Sequence, residues 1–248
     1  MNIHTYPSTN ASNIGIANWM VDYIHKTLAG KKMFTLALSG GNTPKALYQL
    51  LAQEPYRNLI DWQRILFFWG DERYVSFEDE SNNAHMCHEA LLNHVAVNKA
   101  HVFPIDTTIS PEDSAKAYQY LLHQYFNGQA DTFDLMLLGL GDNGHTLSLF
   151  PYTEILHEQT DWVKSYWLKE QQMFRISLTA PVANQSTAIA FLVSGSGKAT
   201  MVKQIIEGER LPEKYPAQLI QPTKAANLHW FLDDNAAKLL NQSKNQLS

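Results

Sequence analysis

"FDLMLLGLG", residues 133–141, is an apolar run closed by two glycines, and it reads as a strand buried on both faces. A strand with one wet face would alternate apolar and polar residues, and after Asp134 this one does not. "AIAFLVSGSG", residues 188–197, repeats the pattern. Continuous apolar strands belong to parallel sheets covered by helices. The same reading places strands at 33–39, 65–69, 133–139, 162–167, 174–177, 188–193 and 228–231. Between them the spacing predicts helices over 11–28, 44–52, 82–94, 111–126, 197–207 and 235–242. The expectation is an α/β chain with a mainly parallel central sheet and helices on both faces. No repeat, linker or composition break divides it, so residues 1–248 read as a single domain.

Composition narrows the function classes. With 45% hydrophobic and 17% charged residues, the chain is neither disordered nor collagenous. Its net charge is −5, and its 19 Lys and Arg are scattered, so no nucleic-acid footprint is visible. An anionic ligand would need a local basic site. The N-terminus lacks a basic region followed by an apolar one, and no run approaches the roughly 18 apolar residues of a membrane span. A cytoplasmic location is therefore expected, with no membrane partner. One cysteine, Cys87, allows no internal disulfide.

Ligands of parallel sheets collect where strands end, so the loops after strands are the places to look. In "LALSGGNTPKALYQLL", residues 36–51, Thr43 is placed to cap a helix, with Pro44 at its first position. Gly40 and Gly41 let backbone approach a ligand, and the helix start offers free amides. With the hydroxyls of Ser39 and Thr43 this would make an anion cradle; an ordinary strand-to-helix turn fits the same letters. In "ILFFWGDERYV", residues 65–75, Arg73 presents a fork suited to phosphate, and Asp71 or Glu72 can orient it. A solvated turn is the alternative there.

"GLGDNG", residues 139–144, matches a dinucleotide-binding glycine pattern but fails on context, because Pro151 leaves little room for the long helix that pattern opens. What remains is a glycine-rich loop presenting Asp142, Asn143 and His145, in which the histidine can act as general base or simply cap the next turn. "SGSGKA", residues 194–199, lacks the first glycine of a P-loop, since Leu192 stands there, and Ala199 replaces the hydroxyl that binds magnesium. Lys198 still suits a phosphate. Arg175 either reaches the site or pairs at the surface.

Two features are set aside. "HMCHEALLNH", residues 85–94, puts His85, Cys87, His88 and His94 on one helix, but no second ligand pair with recognisable spacing exists. Trp62, Trp69, Trp162 and Trp167 read as core, because no basic residues interleave them.

Taken in order, "LALSGGNTP", "WGDER", "ESN", "GLGDNGHTLSLFP", "RISLTAP" and "SGSGKA" resemble the 6-phosphogluconolactonase family, from about residue 33 to 216. The resemblance implies an α/β sandwich like that of ribose-5-phosphate isomerases, CoA-transferases and glucosamine-6-phosphate deaminases. It also implies hydrolysis of 6-phosphoglucono-1,5-lactone without a required metal or cofactor. By that resemblance His145 activates water, helped by Asp142 and Asn143, while Ser39, Gly40, Gly41, Asn42, Thr43, Arg73 and Lys198 hold the phosphate. Asp71, Asn82, Gly144 and Arg175 would be further contacts. Family members commonly carry Asp where this chain has Asn143, which supplies no negative charge to the histidine. Amino-sugar deaminases resemble "DGHIAFNEP" at this loop, whereas "NGHTLSLFP" supplies neither acid. A deaminase-like isomerase and a non-catalytic sugar-phosphate sensor are the competing readings, with a monomer or small homo-oligomer expected.

Overall fold

The computed structural model describes residues 1–223 and 227–241. Among the described residues ten strands form two sheets: β1 Asn2–Tyr6, β2 Phe34–Leu38, β3 Ile65–Trp69, β4 Asp71–Arg73, β5 Val102–Phe103, β6 Leu135–Leu138, β7 Val163–Leu168, β8 Met173–Leu178, β9 Ile189–Val193 and β10 Leu228–Asp233. Seven make a parallel sheet in the order β1-β10-β9-β6-β2-β3-β5. The other three, β4-β8-β7, make a small antiparallel sheet. Every residue of β2, β3, β6 and β9 is buried, which is why these four central strands carry uninterrupted apolar sequence.

The sequence pattern missed β1, β4 and β5. β1 sits on the edge of the sheet and mixes exposed with half-buried residues, β5 is two residues long, and β4 is charged. It also did not separate the small sheet from the large one. Gly70 joins them: its amide donates to Leu38 O (3.0 Å) and its carbonyl accepts from Leu178 N (2.9 Å). Trp167 was expected in the core and is 45% exposed, because the outer face of β7 is open to solvent, where its ring stands edge-on to Phe174.

The helices are α1 Thr9–Leu28, α2 Asn42–Leu51, α3 Tyr56–Leu59, α4 Asn83–Cys87, α5 Pro111–Phe126, α6 Ala180–Asn184, α7 Ala199–Glu207 and α8 Asp234–Ala237. α1 starts two residues earlier than expected, because Ser8 caps it by accepting from Ala11 N. α4 runs on into a π-helical turn at His88–Leu92, so the expected 82–94 helix is present in two geometries. The helix expected at 235–242 shortens to α8 within the described residues, and residue 242 lies outside them. α2 corrects the capping expectation. It starts at Asn42 with Gly41 (φ 99°) as its cap, and Thr43 lies inside the first turn. Pro44 then takes the third helical position, where its missing N–H still costs nothing.

Strand order explains where a site can form. From β2 the chain moves to β3 and β5 on one side; from β6 it moves to β9 and β10 on the other. The loops after β2 and β6 therefore diverge from neighbouring strands and leave a crevice at their carboxyl ends.

Candidate active site

Two buried tyrosines hold the strand ends that lead into that crevice. The Tyr48 hydroxyl accepts from Ser39 N (2.9 Å) and donates to Ser39 O (3.0 Å). Tyr118 does the same for Trp69 (2.8 and 3.1 Å). Each thus satisfies the backbone of a residue at the end of β2 or β3, where sheet pairing stops and the chain turns outward.

The crevice holds a cavity of about 350 Å³. Ser39, Gly40, Gly41, Asn42, Thr43, Asp71, Arg73, His145, Arg175 and Lys198 line it, so ten of the residues singled out in the sequence meet in one place. They come from the loops after β2, β6 and β9, from β4 and from β8. The first hydrogen bond within α2 runs from Lys45 N to Gly41 O, so the amides of Asn42 and Thr43 precede the helical ladder at the cavity wall.

Four expected residues do not line it. Asn82 caps α4 by accepting from His85 N (2.8 Å), and its neighbour Asn83 forms the wall instead. Asn83 Nδ2 donates to Asp71 O (2.8 Å), and a Cβ on Gly40 would lie 1.8 Å from Asn83 Oδ1, so glycine is needed there for close approach. Gly144 lies behind the loop, packed on Tyr215, with its carbonyl accepting from Ala217 N. Asp142 and Asn143 stand at the rim, each in contact with a cavity residue. Asp142, with 88% of its side chain exposed, pairs with Lys198 Nζ at 2.5 Å rather than with the histidine.

Asn143 is the residue that touches the histidine. Its Oδ1 lies 2.6 Å from His145 Nδ1 and also accepts from the His145 backbone amide (3.3 Å). That backbone donor identifies the oxygen, so Nδ1 carries the proton and donates, leaving the Nε2 lone pair free. The ring stacks on Phe150 at 4.0 Å, and a Cβ on Gly141 would sit 2.0 Å from Nδ1. Burial pushes the His145 pKa down to about 4; Asp71 opposes that shift, and the cations Arg175, Lys198 and Arg73 add to it. The imidazole is neutral at pH 7.

β4 and β8 deliver the fixed charges. Arg73 and Arg175 are paired across these strands. Arg175 is 2% exposed: its Nε donates to Ser148 Oγ (2.9 Å), its Nη2 lies 3.6 Å from Asp71 Oδ2, and its guanidinium stands 5.6 Å from the Phe150 ring. Ser148 also donates to Asp71 Oδ2 (2.6 Å), which binds carboxylate and guanidinium into one network. Nothing in the sequence marked Ser148, a small polar residue in an apolar run. Arg73 Nη1 donates to Ser81 O (2.7 Å), while its buried Nε has no hydrogen-bond partner among the described residues. Glu72 turns the other way. It is fully buried and accepts from the amides of Arg73, Asn83 and Ala84, and burial pushes its pKa up to about 7 despite those three donors. It thereby fastens α4, and with it Asn83, to β4.

No helix among the described residues is long and apolar enough to cross a membrane, and no three His, Cys, Asp or Glu side chains there cluster to hold a metal. In the helix set aside above, Cys87 is buried, and His85 and His88 meet Phe77 edge-on.

The sequence profile described as glucosamine-6-phosphate isomerases/6-phosphogluconolactonase matches residues 7–230. The chain belongs to that family. Within it, the chain is 40% identical over 221 residues to the 6-phosphogluconolactonase of Synechocystis, covering 88% of this chain and 89% of the relative. It is 35% identical over 243 residues to that of Aggregatibacter actinomycetemcomitans, covering 97% and 100%. Among solved structures, the 6-phosphogluconolactonase from Trypanosoma cruzi superposes with a TM-score of 0.84 at 26% identity, over 97% of each chain. The family's fold is the expected one, with a largely parallel seven-stranded sheet.

Proposed function

We propose that this chain hydrolyses 6-phosphoglucono-1,5-lactone to 6-phosphogluconate. The carrying observation is a neutral histidine, held by Asn143 with Nε2 free, in a cavity that also holds Arg73, Arg175 and Lys198. The phosphate is held by the Asn42 and Thr43 amides at the start of α2, by Lys198 and by the unpartnered Nε of Arg73. That leaves the lactone carbonyl toward His145.

Water attacks the carbonyl carbon while His145 Nε2 accepts its proton, and the carbonyl electron pair moves onto oxygen. Arg175, on the same phenyl ring as His145, stabilises that oxyanion. The tetrahedral intermediate collapses, the bond from carbon to the ring oxygen breaks, and the imidazolium returns its proton to that oxygen. The product acid then ionises. Phosphate binding far from the reacting carbon supplies orientation.

The deaminase reading is disfavoured by the lining. Asp71 is the one carboxylate among the cavity residues, and it is tied to Ser148 and Arg175, which leaves no free acid to move protons between sugar carbons. Freshly generated 6-phosphogluconolactone, corrected for spontaneous opening, tests the proposal. Turnover by the native chain and a loss of at least ~100-fold in His145→Ala are expected. Undiminished activity in that variant refutes the role of His145, and ammonia release from glucosamine 6-phosphate refutes the reaction.

A further inference from the structure

Lys198 already has an anionic partner in the free protein, and that partner belongs to the loop that carries the base. Asp142 holds Lys198 Nζ at 2.5 Å, and the next residue, Asn143, holds the His145 ring at 2.6 Å. Charge faces this ring from every element around it: Asp71 and Arg73 from β4, Arg175 from β8, Lys198 from the turn before α7, and Asp142 from its own loop. Three cations therefore stand against one carboxylate in the cavity wall and one on the rim. Burial is the main cause that disfavours a proton on His145, and the excess of cations adds to it. A histidine so depressed is a weak base at neutral pH, where proton transfer is best served by a pKa near the working pH.

We infer that the substrate's phosphate activates the base as well as anchoring the substrate: a bound dianion takes Lys198 from Asp142 and offsets the positive charge facing His145, making the imidazole more basic. The inference rests on the lactonase reading above. Two negative charges within ~8 Å of the ring, at an effective dielectric of about 20, lift its pKa by roughly two to three units. The base then approaches the working pH only when a phosphorylated substrate is in place. A neutral lactone meets a weaker base, so selectivity resides in turnover as well as in affinity.

The test separates the two halves of the substrate. The purified full chain is given glucono-1,5-lactone, which lacks the phosphate, with sulfate as a free dianion that does not titrate over the pH range used and with chloride holding ionic strength constant. Sulfate is expected to accelerate neutral-lactone turnover saturably, by roughly ten-fold, with a weaker base in its absence. In parallel, the His145 ring is titrated by NMR, its signal assigned with His145→Ala. Sulfate is expected to raise its midpoint by about two units, and Lys198→Met to remove most of that rise. A midpoint that sulfate does not move, or neutral-lactone turnover that sulfate leaves unchanged or inhibits while the phosphorylated lactone is hydrolysed rapidly, overturns the inference and leaves the lactonase reading intact. Failure to hydrolyse the phosphorylated lactone overturns both.

Discussion

Replacing Asn143 with Asp tests the electrostatics of the base most sharply, because one atom changes and the contact is defined. The oxygen 2.6 Å from His145 Nδ1 would become part of a carboxylate. With charge centres ~4 Å apart at an effective dielectric of about 20, the attraction for an imidazolium is about 4 kcal/mol, or about three pKa units. Asn143 is exposed at the rim, so solvent screening reduces this to about one or two units. In the free protein burial pushes the His145 pKa down to about 4, and a group of depressed pKa keeps its basic form down to that pH. The acid limb of the kcat/KM profile, which follows the free enzyme, should therefore move to higher pH by one to two units in Asn143→Asp, with kcat/KM at pH 7 kept or increased. Asn143→Leu should lose at least ~10-fold in kcat, because the tautomer is no longer fixed. Stopped assays of native and variant chains side by side, with spontaneous hydrolysis subtracted, read both effects; the substrate's own phosphate titration is common to both and cancels. An unmoved limb in an active Asn143→Asp enzyme would refute the assigned contact.

Other substitutions separate packing from chemistry. Gly141→Ala puts a Cβ 2.0 Å from His145 Nδ1, so kcat should fall by at least ~100-fold while circular dichroism stays native; normal turnover would contradict the ring's placement. Tyr48→Phe strips partners from both backbone groups of Ser39 and should cost ~2–3 kcal/mol in urea unfolding, with a raised KM. The pair His4 and His229, 3.1 Å apart, gives a pH dependence of stability: burial lowers both pKa values, and that of His229 to about 4. The unfolded chain takes up these protons first, so stability is complete above about pH 6.5 and is lost as pH falls toward 4, by ~2 kcal/mol for His229 after discounting for solvent. Unfolding midpoints of His229→Phe at pH 7 and 4.5 should differ by less than those of the native chain, with His4 and His145 supplying the dependence that remains.

How much of this was legible follows from what each residue's neighbours in sequence reveal. The central strands could be read because burial on both faces leaves no polar position, as in residues 135–138 and 189–193. β4 could not, since "DER" pairs with β8 only because a turn at Gly70 carries it across to the second sheet. Ten cavity residues were found because strand-end loops and cationic side chains announce themselves locally. Asn82 follows from the "ESN" resemblance, and the letters alone do not separate it from the adjacent Asn83. Which of them caps α4 and which faces the crevice depends on Glu72, eleven residues before Asn83, which accepts the Asn83 amide. Asp142 was read as a helper of His145, and its true partner, Lys198, is 56 residues away. Such pairings exist only once β6 and β9 lie side by side.

A crystal structure of the chain with 6-phosphogluconate tests the central claim most directly. The account predicts the phosphate within hydrogen-bond reach, ~3 Å, of Lys198 Nζ, Arg73 Nε and the amides of Asn42 and Thr43, with the carboxylate carbon's oxygens at His145 Nε2. A product bound the other way round, or lying outside the crevice between β2 and β6, would contradict it.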